Sequence, residues 1–184
     1  MPYWLHRDEV LKSLLVDSNS FVFAGDSHIQ EFELAEIFHS IKMKNRGICY
    51  DTSLGLLNRV DELTKGQPAK VFIEIGVNDL AQNKPVDTVV KNLANIVNNI
   101  ATKSPNSKIY LQSVLPNKLT LEKILLLNKR IKELATTRNI MYIDLQTSFL
   151  DKGLKKKYDS GDGVYLNSAG YFKWRDILLP YVNN

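Results

Sequence analysis

The stretch Ser20-Phe21-Val22-Phe23-Ala24-Gly25-Asp26-Ser27-His28 decides the architecture. Residues 20–24 form a short, β-prone and largely apolar run that leads straight into Gly-Asp-Ser, and a helical pattern follows over about 29–39. Four more runs of the same kind occupy residues 41–48, 70–75, 108–114 and 140–145. Helix-periodic stretches lie between them. Val89, Leu93, Ile96, Val97 and Ile100 recur at helical spacing, as do Leu121, Ile124, Leu125, Asn128, Ile131 and Leu134, with Asn128 the one polar residue on that face. A last helix is expected over 168–181, interrupted near its end by Pro180.

Strands alternating with helices at this rhythm imply βαβ units, and so an α/β fold whose parallel sheet is covered on both faces. Right-handed crossovers place all strand C-terminal ends on one edge, where open α/β sheets bind ligands. No repeat, low-complexity segment or linker divides the chain, so residues 1–184 are read as one domain.

Composition narrows the functional classes. With 24 Lys+Arg against 20 Asp+Glu, the net charge is +4 and the basic residues are scattered, apart from Lys155-Lys156-Lys157, read as a solvated loop. A nucleic-acid surface would concentrate basic side chains on one face, so no nucleic-acid partner is expected. No stretch reaches the roughly 20 apolar residues of a membrane span, and residues 1–9 lack the apolar centre of a signal peptide. The expectation is a cytoplasmic chain without a membrane partner, although a leader already removed would leave no trace. Cys49 is the only cysteine, which excludes an intrachain disulfide. Oligomeric state is not legible.

Chemistry-bearing residues collect at the strand ends. Ser27 follows the first strand, where its hydroxyl is equally a nucleophile at the sheet edge or a helix cap. Gly47, in Asn45-Arg46-Gly47-Ile48, is either a backbone donor beside a ligand or an ordinary turn glycine. Asn78, in Gly76-Val77-Asn78-Asp79, can donate to an oxyanion, or Asn78 or Asp79 can make an Asx-turn or cap. Near the C-terminus, Asp162-Gly163-Val164-Tyr165-Leu166-Asn167 lacks the spacing of a calcium loop. No His/Cys cluster has zinc spacing and no phosphate-cradling glycine motif occurs.

Taken together and in order, these four blocks resemble the SGNH, or GDSL-type, hydrolase family. Gly25-Asp26-Ser27 is similar to the block carrying the nucleophile, Gly47 to the second-block glycine, and Gly76-Val77-Asn78-Asp79 to Gly-x-Asn-Asp. Asp162-Gly163-Val164-Tyr165-Leu166-Asn167 resembles Asp-x-x-His-Leu-Asn, and Pro2-Tyr3-Trp4 with Arg7 resembles the platelet-activating-factor acetylhydrolase-like and sialate esterase-like members. The likeness spans nearly the whole chain, and it implies no metal or organic cofactor. It implies a flavodoxin-like three-layer α/β/α sandwich with a five-stranded parallel sheet. It also implies a serine esterase acting on small acyl esters, with acetylated carbohydrates as a candidate class. Ser27 would attack the carbonyl, and the Ser27 N–H, Gly47 N–H and Asn78 amide would form the oxyanion hole. Asp162 would orient a histidine three residues on, and Asp26 and His28 would line the pocket.

Position 165 departs from the pattern, because tyrosine stands where the base should be. Serine needs an adjacent base, and a phenol of pKa near 10 offers about one phenolate in a thousand at pH 7. Losing the histidine of a comparable triad costs about a million-fold in turnover, roughly 8 kcal/mol. None of His6, His28, His39 or Asp162 is an evident replacement. His28 adjoins Ser27 but points elsewhere, and His39 lies about three helical turns away, roughly 18 Å, at the wrong end of the sheet. Two readings stay open. One is an esterase with a substituted base; the other is a non-catalytic protein that binds a carbohydrate or acyl ligand in the same pocket.

Overall fold

The computed structural model describes residues 3–183, so Pro2 lies outside the described residues. Helix α1 (Tyr3–Ser13) precedes strand β1 (Phe21–Gly25) and the short helices α2 (Ser27–Gln30) and α3 (Leu34–Ile37). Strand β2 (Met43–Gly47) is followed by α4 (Ser53–Asn58), α5 (Val60–Thr64), β3 (Lys70–Glu74) and α6 (Val77–Ala81). Then come α7 (Val86–Lys103), β4 (Lys108–Gln112), α8 (Leu121–Thr137), β5 (Met141–Ile143), α9 (Gln146–Phe149) and α10 (Ser168–Val182). The five strands form one sheet in the order β2-β1-β3-β4-β5, every pairing parallel. This is the flavodoxin-like order, and it puts the ends of β1, β2 and β3 side by side at the switch in strand order.

Alternation along the strands builds two cores. Val22, Ala24, Val71, Ile73, Ile109 and Leu111 face one side and pack against the stripes of α7 and α8. Phe23, Phe72 and Tyr110 face the other, beneath Trp174 and Leu178 of α10. Those three rings stand in register across β1, β3 and β4 and stack at centroid separations of 4.4 Å.

Where elements end differently from expectation, long-range contacts are the cause. The ladder of β4 stops at Gln112 because α8 takes over: the Asn128 amide accepts from the Val114 N–H at 2.8 Å and donates to its carbonyl at 2.9 Å. The polar residue on that helix face is thus a backbone partner for the strand's continuation. In β2, Ile41 is 86% exposed and precedes the ladder, which begins at Met43. The single helix expected over 29–39 is two short ones. The Asn45 side-chain amide reaches from β2 to the carbonyls of Ile29, Gln30 and Phe32, at 2.6, 3.2 and 3.0 Å, and so satisfies groups that a continuing helix would have paired itself. Helix α10 runs through Pro180 to Val182 rather than being interrupted there, since proline in a last turn removes few helix bonds.

Candidate active site

Strand β1 delivers Asp26 and Ser27 at the sheet's C-terminal edge. The Asp26 carboxylate caps α2 by accepting from the His28 N–H at 3.1 Å, which turns the chain sharply and sets Ser27 at the first helical position. Ser27 is 7% exposed, and its N–H sits where a helix offers no internal acceptor.

The loop after β2 forms the next wall. It is held by Arg59, a fully buried guanidinium that reaches Asp51 Oδ2 at 2.8 Å, pairs with Glu62, and donates to the carbonyls of Gly25 and Arg46 at 3.2 and 2.9 Å. Trp4 of α1 closes on the same carboxylate, its indole N–H 2.9 Å from Asp51 Oδ1. One arginine therefore locks the ends of β1 and β2 to this loop. Asn78, at the start of α6, donates to the Asp51 carbonyl at 2.8 Å; its amide has a second hydrogen to offer. Asp79 is buried and caps a helix other than its own: it accepts from the N–H and hydroxyl of Ser53, the first residue of α4, at 2.7 and 2.8 Å. Gly76 turns the chain into α6 with φ of +136°, a conformation that L side chains rarely adopt.

Gly47 stands differently from its expected role. Its N–H is taken by Asn45 Oδ1 at 2.9 Å, and a Cβ there would lie 2.1 Å from the Gln30 nitrogen. The glycine lets β2 press against α2; its hydrogen bond is spent inside the strand. Beyond it, Cys49 is held through its N–H by Gln30 Oε1 at 2.8 Å, and Tyr50 adopts a left-handed φ of 63° with 76% of its surface exposed.

The C-terminal loop supplies the last side of the site. Asp159 Oδ1 accepts from the N–H groups of Gly161 and Gly163 at 2.8 and 2.9 Å, which shapes the loop. Asp162 Oδ1 accepts from the N–H groups of Val164 and Tyr165, both at 2.9 Å, and these bonds hold its carboxyl below its ordinary pKa. Asp162 meets the backbone of Tyr165, while the Tyr165 hydroxyl points away to Ser27 Oγ at 3.3 Å. The bond to Ser27 pulls the phenol's pKa down, but burial and the neighbouring Cys49, Glu31 and Tyr50 outweigh it, leaving the phenol above its usual value. Burial likewise raises the Cys49 thiol, against a hydrogen bond with Tyr165 that lowers it.

Asp26 and His28 sit behind Ser27 rather than lining an open pocket: Asp26 is fully buried and His28 only 2% exposed, its Nε2 3.0 Å from the Val164 carbonyl. His6 and His39 are exposed, on α1 and after α3, and have no hydrogen bond to the Ser27 site. Glu74, the last residue of β3, is fully buried beside Asp26. Burial pushes the Asp26 carboxyl up to about 6 against the pull of His28, and burial with the Asp26 charge raises Glu74 well above the carboxylate range. Sequence reasoning passed over Glu74, Cys49, Tyr50 and Arg59. A carboxylate inside the apolar run Val71-Phe72-Ile73-Glu74-Ile75 was the available signal, since a buried charge is rare without a partner. A cavity of about 640 Å³ bordered by Lys108, Tyr110, Met141 and Tyr181 lies at the opposite, N-terminal end of β4 and β5.

Comparison with known proteins agrees with this geometry. The model of the GDSL-like Lipase/Acylhydrolase family matches residues 25–172. A Streptococcus pneumonia protein provisionally named as a platelet activating factor superposes with a TM-score of 0.89 at 28% identity, covering 98% of this chain and 92% of its own. A protein of Bacteroides fragilis NCTC 9343, provisionally named an acylhydrolase, gives 0.83 at 27% identity, covering 99% and 94%. The acetyl xylan esterase AlAXEase shares the fold, with a TM-score of 0.79 at 20% identity over 89% of this chain and 99% of its own. None of the curated proteins compared matches the sequence. With its Gly-Asp-Ser turn, its Gly-x-Asn-Asp block and its closing loop drawn to one sheet edge, the chain belongs to the GDSL-like lipase/acylhydrolase family of ester hydrolases.

Proposed function

We propose that this chain takes small acyl esters, acetyl esters of carbohydrates among them, at Ser27, with turnover limited by Tyr165. The observation that carries the reading is the Tyr165 hydroxyl 3.3 Å from Ser27 Oγ, in the place from which a base would act. The ester carbonyl would lie against Ser27 Oγ, and its developing oxyanion would take hydrogen bonds from the Ser27 N–H and the Asn78 amide. Gly47 has no part, its N–H being engaged by Asn45. The neutral phenol donates to Ser27 Oγ and so stabilises the unreactive hydroxyl; only the phenolate can accept the serine proton.

The direct test is labelling by a fluorophosphonate probe, together with hydrolysis of p-nitrophenyl acetate, for the chain itself and for Tyr165→His. Ser27→Ala should abolish both labelling and hydrolysis. A histidine variant that is neither labelled nor active would refute Ser27 as nucleophile. A second reading, binding without hydrolysis, is favoured by the same hydrogen bond, because a neutral tyrosine beside Ser27 can face a sugar or acyl group. Calorimetric titration with acetylated sugars, showing saturable binding unchanged in Ser27→Ala and no product, would establish it.

A further inference from the structure

Behind the Ser27 turn, three side chains from two parts of the chain meet away from solvent. Asp26 and His28 flank Ser27, and Glu74 ends β3 in register with Gly25. All three are at most 2% exposed, and one ligand-capable atom from each lies within 4.8 Å of the others. The Val164 carbonyl can only accept, so the His28 Nε2 beside it at 3.0 Å carries the ring's hydrogen. In a neutral ring the Nδ1 lone pair then faces Asp26 Oδ1 at 3.6 Å. His28 Nδ1 and Asp26 Oδ2 have no hydrogen-bond partner among the described residues, and the one donor acting on Glu74 is the backbone N–H of Leu115. Gln112 Nε2, also buried and without a partner, donates to none of them. Lone pairs of His28, Asp26 and Glu74 thus converge in a dry space with more acceptors than donors, an arrangement that is costly unless positive charge sits among them.

We propose that Asp26, His28 and Glu74 form a buried site for a divalent transition-metal cation, with Zn²⁺ the best fit. Metal binding displaces the carboxyl protons, and one neutral imidazole with two carboxylates then carries a charge of about −2, which a divalent ion neutralises. Mixed nitrogen and carboxylate donors suit zinc better than calcium or magnesium, which take oxygen ligands. The His28 bond to a backbone carbonyl is the outer contact that orients metal-ligating histidines. The ligands escaped sequence spacing rules because the pairing of β1 with β3 brings residues 26 and 28 to residue 74. The ion fastens the Ser27 turn to β3 and, through His28 and Val164, to the loop carrying Tyr165. Its role is structural, and it goes beyond the acyl-ester reading, whose success or failure leaves it untouched.

The test adds Zn²⁺ or Co²⁺ to the metal-stripped full chain. Competition with a chromophoric chelator should show one Zn²⁺ bound per chain, with a rise in Tm. The Co²⁺ form should show visible d–d bands without a near-ultraviolet thiolate band, which separates this site from Cys49. Glu74→Gln and His28→Gln, checked for folding by circular dichroism, should each weaken Zn²⁺ binding at least tenfold, while Cys49→Ser binds as before. No Zn²⁺ uptake by the parent chain, or uptake unchanged in both variants, overturns the proposal and leaves protons as the neutralising charge.

Discussion

Tyr165 reaches Ser27 with an oxygen that gives a proton, where the family pattern offers a nitrogen that takes one. Tyr165→His should therefore raise kcat for p-nitrophenyl acetate at pH 7 by about a thousand-fold or more, within the million-fold that a triad histidine is worth. The gain depends on Asp162, whose Oδ1 accepts from the Val164 and Tyr165 N–H groups and whose carboxylate would have to turn toward the new ring. The pH profile separates the two forms. With the phenolate as the proposed base in the parent chain, its fraction rises tenfold per pH unit below the pKa, and that pKa is raised; activity should still climb beyond pH 10. In Tyr165→His the climb should level off near pH 7. A flat profile in the parent would show that Tyr165 is not the base. At this scale the placement of Ser27, Asn78 and Tyr165 around one sheet edge was legible because each sits in a short block with a distinctive neighbour. Gly47 shows close packing on Gln30 and an N–H engaged by Asn45, two features that spacing alone does not reveal, since a glycine near a site serves packing as readily as hydrogen bonding. Glu74 was hidden by the opposite effect, a charge taken as part of an apolar run.

Elements were legible in kind and order, and their ends were not. The central strands β1, β3 and β4 were found because β-rich apolar runs bury on both faces of a parallel sheet, while the edge strands β2 and β5 are only partly buried and followed from the alternation with helices. Apolar residues continue past the ladders, however, at Ile75, Val114 and Leu145, which are buried by neighbouring helices and loops rather than by strand pairing. The break of the 29–39 helix depended on Asn45, a residue of the next strand, and no local pattern could have announced it. The packing of β2 on α2 gives a sharp prediction. Gly47→Ala would drive a Cβ into the Gln30 backbone, where no flexible side chain can yield, and should lower stability by about 1–3 kcal/mol in urea denaturation. An unchanged midpoint, with activity alone reduced, would return Gly47 to the oxyanion hole. Removing Arg59 bears on the same region: Arg59→Met leaves Asp51 and Glu62 buried without their cation and should cost about 3–5 kcal/mol. Thermal denaturation would register the loss, and a change below about 1 kcal/mol would mean that the network contributes little.

Across the whole molecule, the sheet divides the interior into two apolar clusters that share strands but no residues. Ile96 of α7 belongs to one cluster and Leu178 of α10 to the other, and both are fully buried. Side chains on opposite faces of a strand have no common packing partners, so a cavity on one side gives the other no room to relax. Ile96→Val should cost about 0.5–1.5 kcal/mol and Leu178→Ala about 2–5 kcal/mol. The double variant should lose the sum to within about 0.5 kcal/mol, as for sites without shared contacts. The Ser27 turn sits where the two sides meet, with Ala24 in the first cluster and Phe23 and Ile29 in the second. A coupling energy above about 1 kcal/mol in the denaturation cycle would mean that the sheet bends as a unit. The turn carrying Ser27 would then move with either core, and hydrolysis by the Tyr165→His background should fall in step with each cavity, however far from Ser27 it is made.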